Sequence, residues 1–168
     1  MDTQRTATLG DVRLAIFRQH TQLEQLSDEL EAHAMAVVSG GERSLAGKAL
    51  NQALELLNTH FVRHFDYEEA HLARWLAWID DDPDHSLLGD HGDQRSRMQG
   101  LLHDRDVFGD PCTLAHEALA FVHHLRKDLA DEDAKIRALG RGPSRLRRGT
   151  DCASSQHMRR SGWRIRRR

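Results

Sequence analysis

Four segments of the chain place apolar residues three or four positions apart, the spacing that lines one face of an α-helix. The first spans residues 9–38, with Val12, Ile16, Leu23, Leu26 and Leu30 on one face, and runs into Gly40-Gly41. The second spans 44–78, with Ser44 placed to cap it and Ala53, Leu57, Leu72 and Trp75 facing inward. A third opens at "DDPDH", where Asp82 suits the cap and Pro83 the first helical position. The fourth opens the same way at Asp110-Pro111 and runs to Gly140, with Leu114, Ala118, Phe121, Leu125, Ile136 and Leu139 inward. No segment shows the period of two that marks a strand.

Connections of about four to six residues make neighbouring helices antiparallel, which predicts an all-α, up-down-up-down four-helix bundle over residues 1–140. Residues 141–168, "RGPSRLRRGTDCASSQHMRRSGWRIRRR", carry no apolar period and read as a disordered Arg-rich tail.

Polar residues break each inward stripe where an apolar one is due. They are His20 on the first helix, His64 and Glu68 on the second, His91 on the third, and Asp128 and Glu132 on the fourth. Counted from the turns at about 1.5 Å per residue, their depths differ by roughly 3–10 Å, which permits all six to share one thick layer. A weak internal repeat supports this grouping. "RHFDYEEAHL" (63–72) overlays "KDLADEDAKI" (127–136), matching His64 with Asp128, Glu68 with Glu132, Glu69 with Asp133 and Leu72 with Ile136. His60 then falls on His124, and a looser overlay of the first and third helices puts His20 on His91.

Charge separates the chain into two parts. Of 24 basic and 26 acidic residues, residues 141–168 hold ten Arg and one Asp, so the first 140 carry 14 basic and 25 acidic groups. An acidic domain with a basic tail suggests that the tail binds nucleic acid or an acidic surface. Trp163 is its one aromatic candidate for stacking on a base. No run approaches the ~18 apolar residues of a membrane span. The first residues lack the build of a secretory signal, and two cysteines are too few for a disulfide framework. The expected location is the cytoplasm.

Three imidazoles and three carboxylates form a mixed nitrogen and oxygen set that suits iron or manganese, accepts zinc and is poor for calcium. Neither Cys112 nor Cys152 falls in the layer. Two half-sites, each offering one His from its first helix and a (His/Asp)-x-x-x-Glu pair from its second, are suited to a dinuclear centre. His60, His124 and Asp133 are reserve ligands. Glu69, Asp131 and Asp133 otherwise read as a solvated face, His33, His71, His85, His103 and His116 as surface residues, and Tyr67 as boundary packing.

In "FRQHTQL" (His20), "HFDYEE" (His64, Glu68), "DHGDQ" (His91) and "DLADEDAKI", the chain resembles the hemerythrin-like (HHE cation-binding) family over residues 9–139. That resemblance implies a non-haem di-iron centre inside the bundle, acting on O₂, NO or peroxide, with Glu68 and either Asp128 or Glu132 bridging. Where the family's third helix has a second His, four residues after His91, this chain has Arg95. A set richer in carboxylate shifts the implied role from reversible O₂ carriage towards iron handling, oxidation or sensing. The competing reading is a metal-free helical interaction module that works through its basic tail.

Overall fold

The computed structural model describes residues 8–40, 43–76, 87–108 and 110–139. Its elements are four helices: α1 (Leu9–Val38), α2 (Arg43–Leu76), α3 (Leu87–Phe108) and α4 (Pro111–Leu139). The described residues contain no strand, and the predicted all-α four-helix bundle is what forms.

Local chemistry accounts for the ends. Thr8 caps α1 through a reciprocal pair: its hydroxyl oxygen accepts from the Asp11 N–H at 3.2 Å, and Asp11 accepts from the Thr8 N–H at 3.1 Å. Asp110 caps α4 by accepting from the N–H groups of Cys112 and Thr113, with Pro111 as the first helical residue. Because that cap works at once, α3 and α4 are joined by residues 109–110 alone, a shorter link than expected. Ser44 is not a cap, since α2 already starts at Arg43. The proposed start at Asp82-Pro83 and the tail lie outside the described residues, as does the side chain of Trp75, expected to face inward. No helix here is long and apolar enough to cross a membrane.

Pairings across helices fix the directions. His20 and Asp28 of α1 meet Asp133 and Arg126 of α4, so numbers rise on one helix as they fall on the other. Glu55 and Glu69 of α2 meet Arg105 and His91 of α3 in the same sense. α1 packs between α2 and α4, and α3 closes the ring against the same two helices.

The apolar core has two parts. The larger gathers Leu23, Leu30, Leu54, Leu57, Phe61, Phe65, Met98, Leu125 and Leu129 with their neighbours. The smaller contains Val12, Ile16, Leu72 and Ile136, flanked by Phe17 and Tyr67. On α1, α2 and α4 the polar breaks lie between the two: His20 between Ile16 and Leu23, Glu68 between Phe65 and Leu72, Glu132 between Leu129 and Ile136. On those three helices the polar layer is flanked by hydrocarbon on either side.

Two glycines give a test of opposite sign. Gly40 ends α1 at φ 80°, a conformation costly to residues with a Cβ. Gly100 lies inside α3, and a Cβ there would meet nothing within 4 Å. Gly40→Ala should lower the free energy of unfolding by about 1 kcal/mol, and Gly100→Ala should raise it by about 0.5–1 kcal/mol. Urea denaturation measures both, and shifts of the same sign would contradict the assigned backbone.

Candidate metal centre

Within the layer, α1 contributes His20, α2 His64 and Glu68, α3 His91, and α4 Glu132, all buried. One ligand atom from each of His20, His64, Glu68 and Glu132 lies within 4.8 Å of the others. His20 Nε2 is 3.8 Å from Glu68 Oε1 and 3.5 Å from Glu132 Oε2. His64 Nε2 is 3.8 Å from an oxygen of each carboxylate. His91 Nε2 lies 3.0 Å from Glu68 Oε2 and 3.9 Å from Glu132 Oε1.

None of these seven atoms, three Nε2 and four carboxylate oxygens, has a hydrogen-bond partner among the described residues. Leaving buried polar atoms unpaired costs about 1–3 kcal/mol each, and more when they are charged. A cation at the centre of the group would satisfy all of them at once.

The outer edge of each ring is occupied. His20 Nδ1 is 2.7 Å from Asp133 Oδ1, His64 Nδ1 is 3.1 Å from Gln19 Oε1, and His91 Nδ1 is 3.4 Å from Glu69 Oε1. Those oxygens can only accept, so each Nδ1 carries the proton and donates. In the neutral ring this leaves the Nε2 lone pair aimed into the layer, the tautomer a metal requires. Two of these acceptors are themselves held by arginine. Arg137 donates to Asp133 at 2.6 Å, and Arg95 donates to Glu69. Arg95 also lies 4.9 Å above the Phe65 ring, which stacks on His91. The buried cluster can hold a metal, and its imidazoles are oriented for one. Comparison with protein families, curated proteins and solved structures returns no match for this chain.

Several sequence-based expectations change. Asp128 is half-buried and falls outside the group of mutually close ligand atoms. Buried positions on α4 run Leu125, Leu129, Glu132, Ile136, and Asp128 sits beside that stripe. His60 flanks the α2 stripe half-buried, and His124 is exposed along a groove with Leu101, Glu117 and Phe121. Asp133 and Glu69 are partly exposed, and each also holds an imidazole. His71 is half-buried against Tyr67, and His33 is half-buried as well, so neither is a simple surface residue. Sequence reasoning missed Gln19 and the positioning roles of Glu69 and Asp133. Each is the immediate neighbour of a core donor, about 100° around the helix, and Glu69 and Asp133 are also matched in the internal repeat.

Without a cation, protons compensate the layer. Burial opposes charge on His20, but Glu68, Asp133 and Glu132 outweigh it and raise its pKa above 6.5. His91 is raised in the same way by Glu68, Glu132 and Glu69 against its burial. Burial would lift the Glu68 carboxyl, yet the facing His20 and His91 bring it from 4.5 to about 2. The raised imidazoles stabilise the fold fully below pH 6.5, and this contribution is lost as pH climbs through their folded values. The lowered Glu68 stabilises above pH 4.5, and its contribution is lost as pH falls towards about 2. Metal-free protein should therefore be most stable between pH 4.5 and 6.5. Stabilisation by added metal should instead grow with pH, because binding expels those protons. Thermal melts with and without chelator across pH check this, and parallel pH trends would contradict it.

Asp133→Asn, which removes the charge behind His20, should weaken metal binding by about 10–100-fold with the helix content unchanged. Chelator competition measures that loss, and parent-like affinity would show that Asp133 does not support the centre.

Proposed function

We propose that this protein is a cytoplasmic, hemerythrin-like non-haem iron protein that binds or senses O₂, NO or peroxide, or handles iron. One observation carries the reading: seven buried ligand atoms on four helices converge without a hydrogen-bond partner among the described residues, and the far nitrogen of each imidazole faces an acceptor oxygen. His20, His64, His91, Glu68 and Glu132 would hold the metal. Three nitrogens with carboxylate oxygens match iron or manganese and also admit zinc.

Bound iron would supply redox chemistry towards a small oxygen- or nitrogen-containing molecule. The chain's own residues orient and insulate that centre. Asp133, Gln19 and Glu69 keep the imidazoles aligned, and the apolar clusters on either side exclude water. Anionic Glu68 and Glu132 favour the more highly charged oxidation state, which suits sensing or oxidation better than reversible carriage. The metal-free module reading leaves compensation of the buried carboxylates to protons on the facing imidazoles and gives the convergence of the layer no purpose.

The test is metal content per chain, with near-ultraviolet and visible absorption, on protein produced with iron available. Iron in the purified protein, lost in Glu68→Ala with the helices retained, is the expected result. A parent protein that folds fully, carries no metal and takes none up would overturn the proposal.

A further inference from the structure

Between α3 and α4 runs a surface groove of about 330 Å³ that the metal centre does not use. Gly100, Leu101, Ala120 and Phe121 line its middle. Leu101 and Phe121 are buried, whereas Gly100 and Ala120 are exposed, and their small size leaves the seam open. A Cβ at Gly100 would meet nothing within 4 Å.

Polar side chains line the rest: Arg97 and Asp104 from α3, Glu117 and His124 from α4. Their placement follows from the link at residues 109–110, which turns α3 back into α4. Asp104 is five residues before that link and Glu117 seven after it, so the two carboxylates stand within ~3 Å of the same depth. Arg97 and His124 are each seven residues farther along their helices, roughly 10 Å away. One end of the groove is therefore acidic and the other basic. Its midpoint falls between Gly100 and Leu101 on α3 and between Ala120 and Phe121 on α4. No ion pair among the described residues engages Arg97, Asp104 or Glu117.

This charge pattern is self-complementary. A two-fold axis crossing the groove at right angles to the helices sets α3 on α3 and α4 on α4 with their ends reversed. Arg97 of each copy then faces Asp104 of the other, and His124 faces Glu117. A two-fold axis parallel to the helices would instead bring like ends together, which opposes that arrangement. We propose that the α3–α4 groove is the docking surface for a second copy of this chain, in a two-fold dimer held by reciprocal Arg97–Asp104 and His124–Glu117 contacts. Symmetry makes each contact occur twice. The exposed Gly100 and Ala120 lie at the axis, where the two backbones approach most closely. The interface is separate from the metal layer and does not depend on it.

Sedimentation equilibrium of the full-length chain at micromolar concentration and about 0.1 M salt tests this. The parent should approach twice 19.2 kDa and dissociate as salt rises. Arg97→Glu and Asp104→Arg each set like charges face to face on both sides of the axis, and each alone should weaken association at least about tenfold. Mixed in equal amounts, the two variants should pair with each other near parent affinity, because the introduced charges are complementary across the axis. His124→Glu and Glu117→Lys repeat the design if either variant loses helix content by circular dichroism. A monomeric parent would overturn the proposal. So would single variants that associate like the parent, which would place the contact elsewhere, residues 141–168 included. Folded variants that stay apart when mixed would overturn it too.

Discussion

Two carboxylates, Glu68 and Glu132, are buried where four helices converge, and their oxygens have no protein hydrogen-bond donor among the described residues. Burying an ionised group unpaired costs several kcal/mol, so the bundle must compensate them. The rest of the centre follows from that requirement. Three imidazoles face the carboxylates, and hydrocarbon flanks the layer on either side along α1, α2 and α4. Either protons on the imidazoles or a cation between them can supply the missing positive charge, and only the cation also satisfies the Nε2 atoms as ligands.

Positioning in this centre runs outward in steps. An imidazole faces the layer, a carboxylate or amide fixes its far nitrogen, and an arginine fixes two of those carboxylates. Arg137 and Arg95 each lie over a phenylalanine ring, Phe17 and Phe65 respectively. Arg95 thus stands where a second imidazole on α3 is expected by resemblance, yet it contributes by holding Glu69 behind His91. Each half of the chain supplies the carboxylate that orients an imidazole of the other half, so the cluster is assembled only when the whole bundle closes.

The bundle and five of its central groups were legible in sequence because both express helical period. Val12, Ile16, His20, Leu23 and Leu30 fall on one stripe of α1, so the histidine announces itself as an interruption. Glu132 does the same on α4. Asp128 pairs with His64 in the repeat, yet it lies half-buried beside the α4 stripe, outside the group of mutually close ligand atoms. Glu69, Asp133 and Gln19 lie one residue off their stripes. Such positions look solvated until the neighbouring helix is in place, and only tertiary packing decides whether they meet an imidazole or water. Charge alone could not distinguish Asp131, which is exposed, from Asp133, which is tied to His20.

The most direct measurement is anomalous X-ray diffraction at the metal absorption edge, on crystals of the metal-loaded protein. Density enclosed by His20, His64, Glu68 and Glu132, with ligand distances of about 2.0–2.2 Å, is the predicted result. Density confined to exposed histidines such as His123 and His124, or none in the layer, would contradict the account.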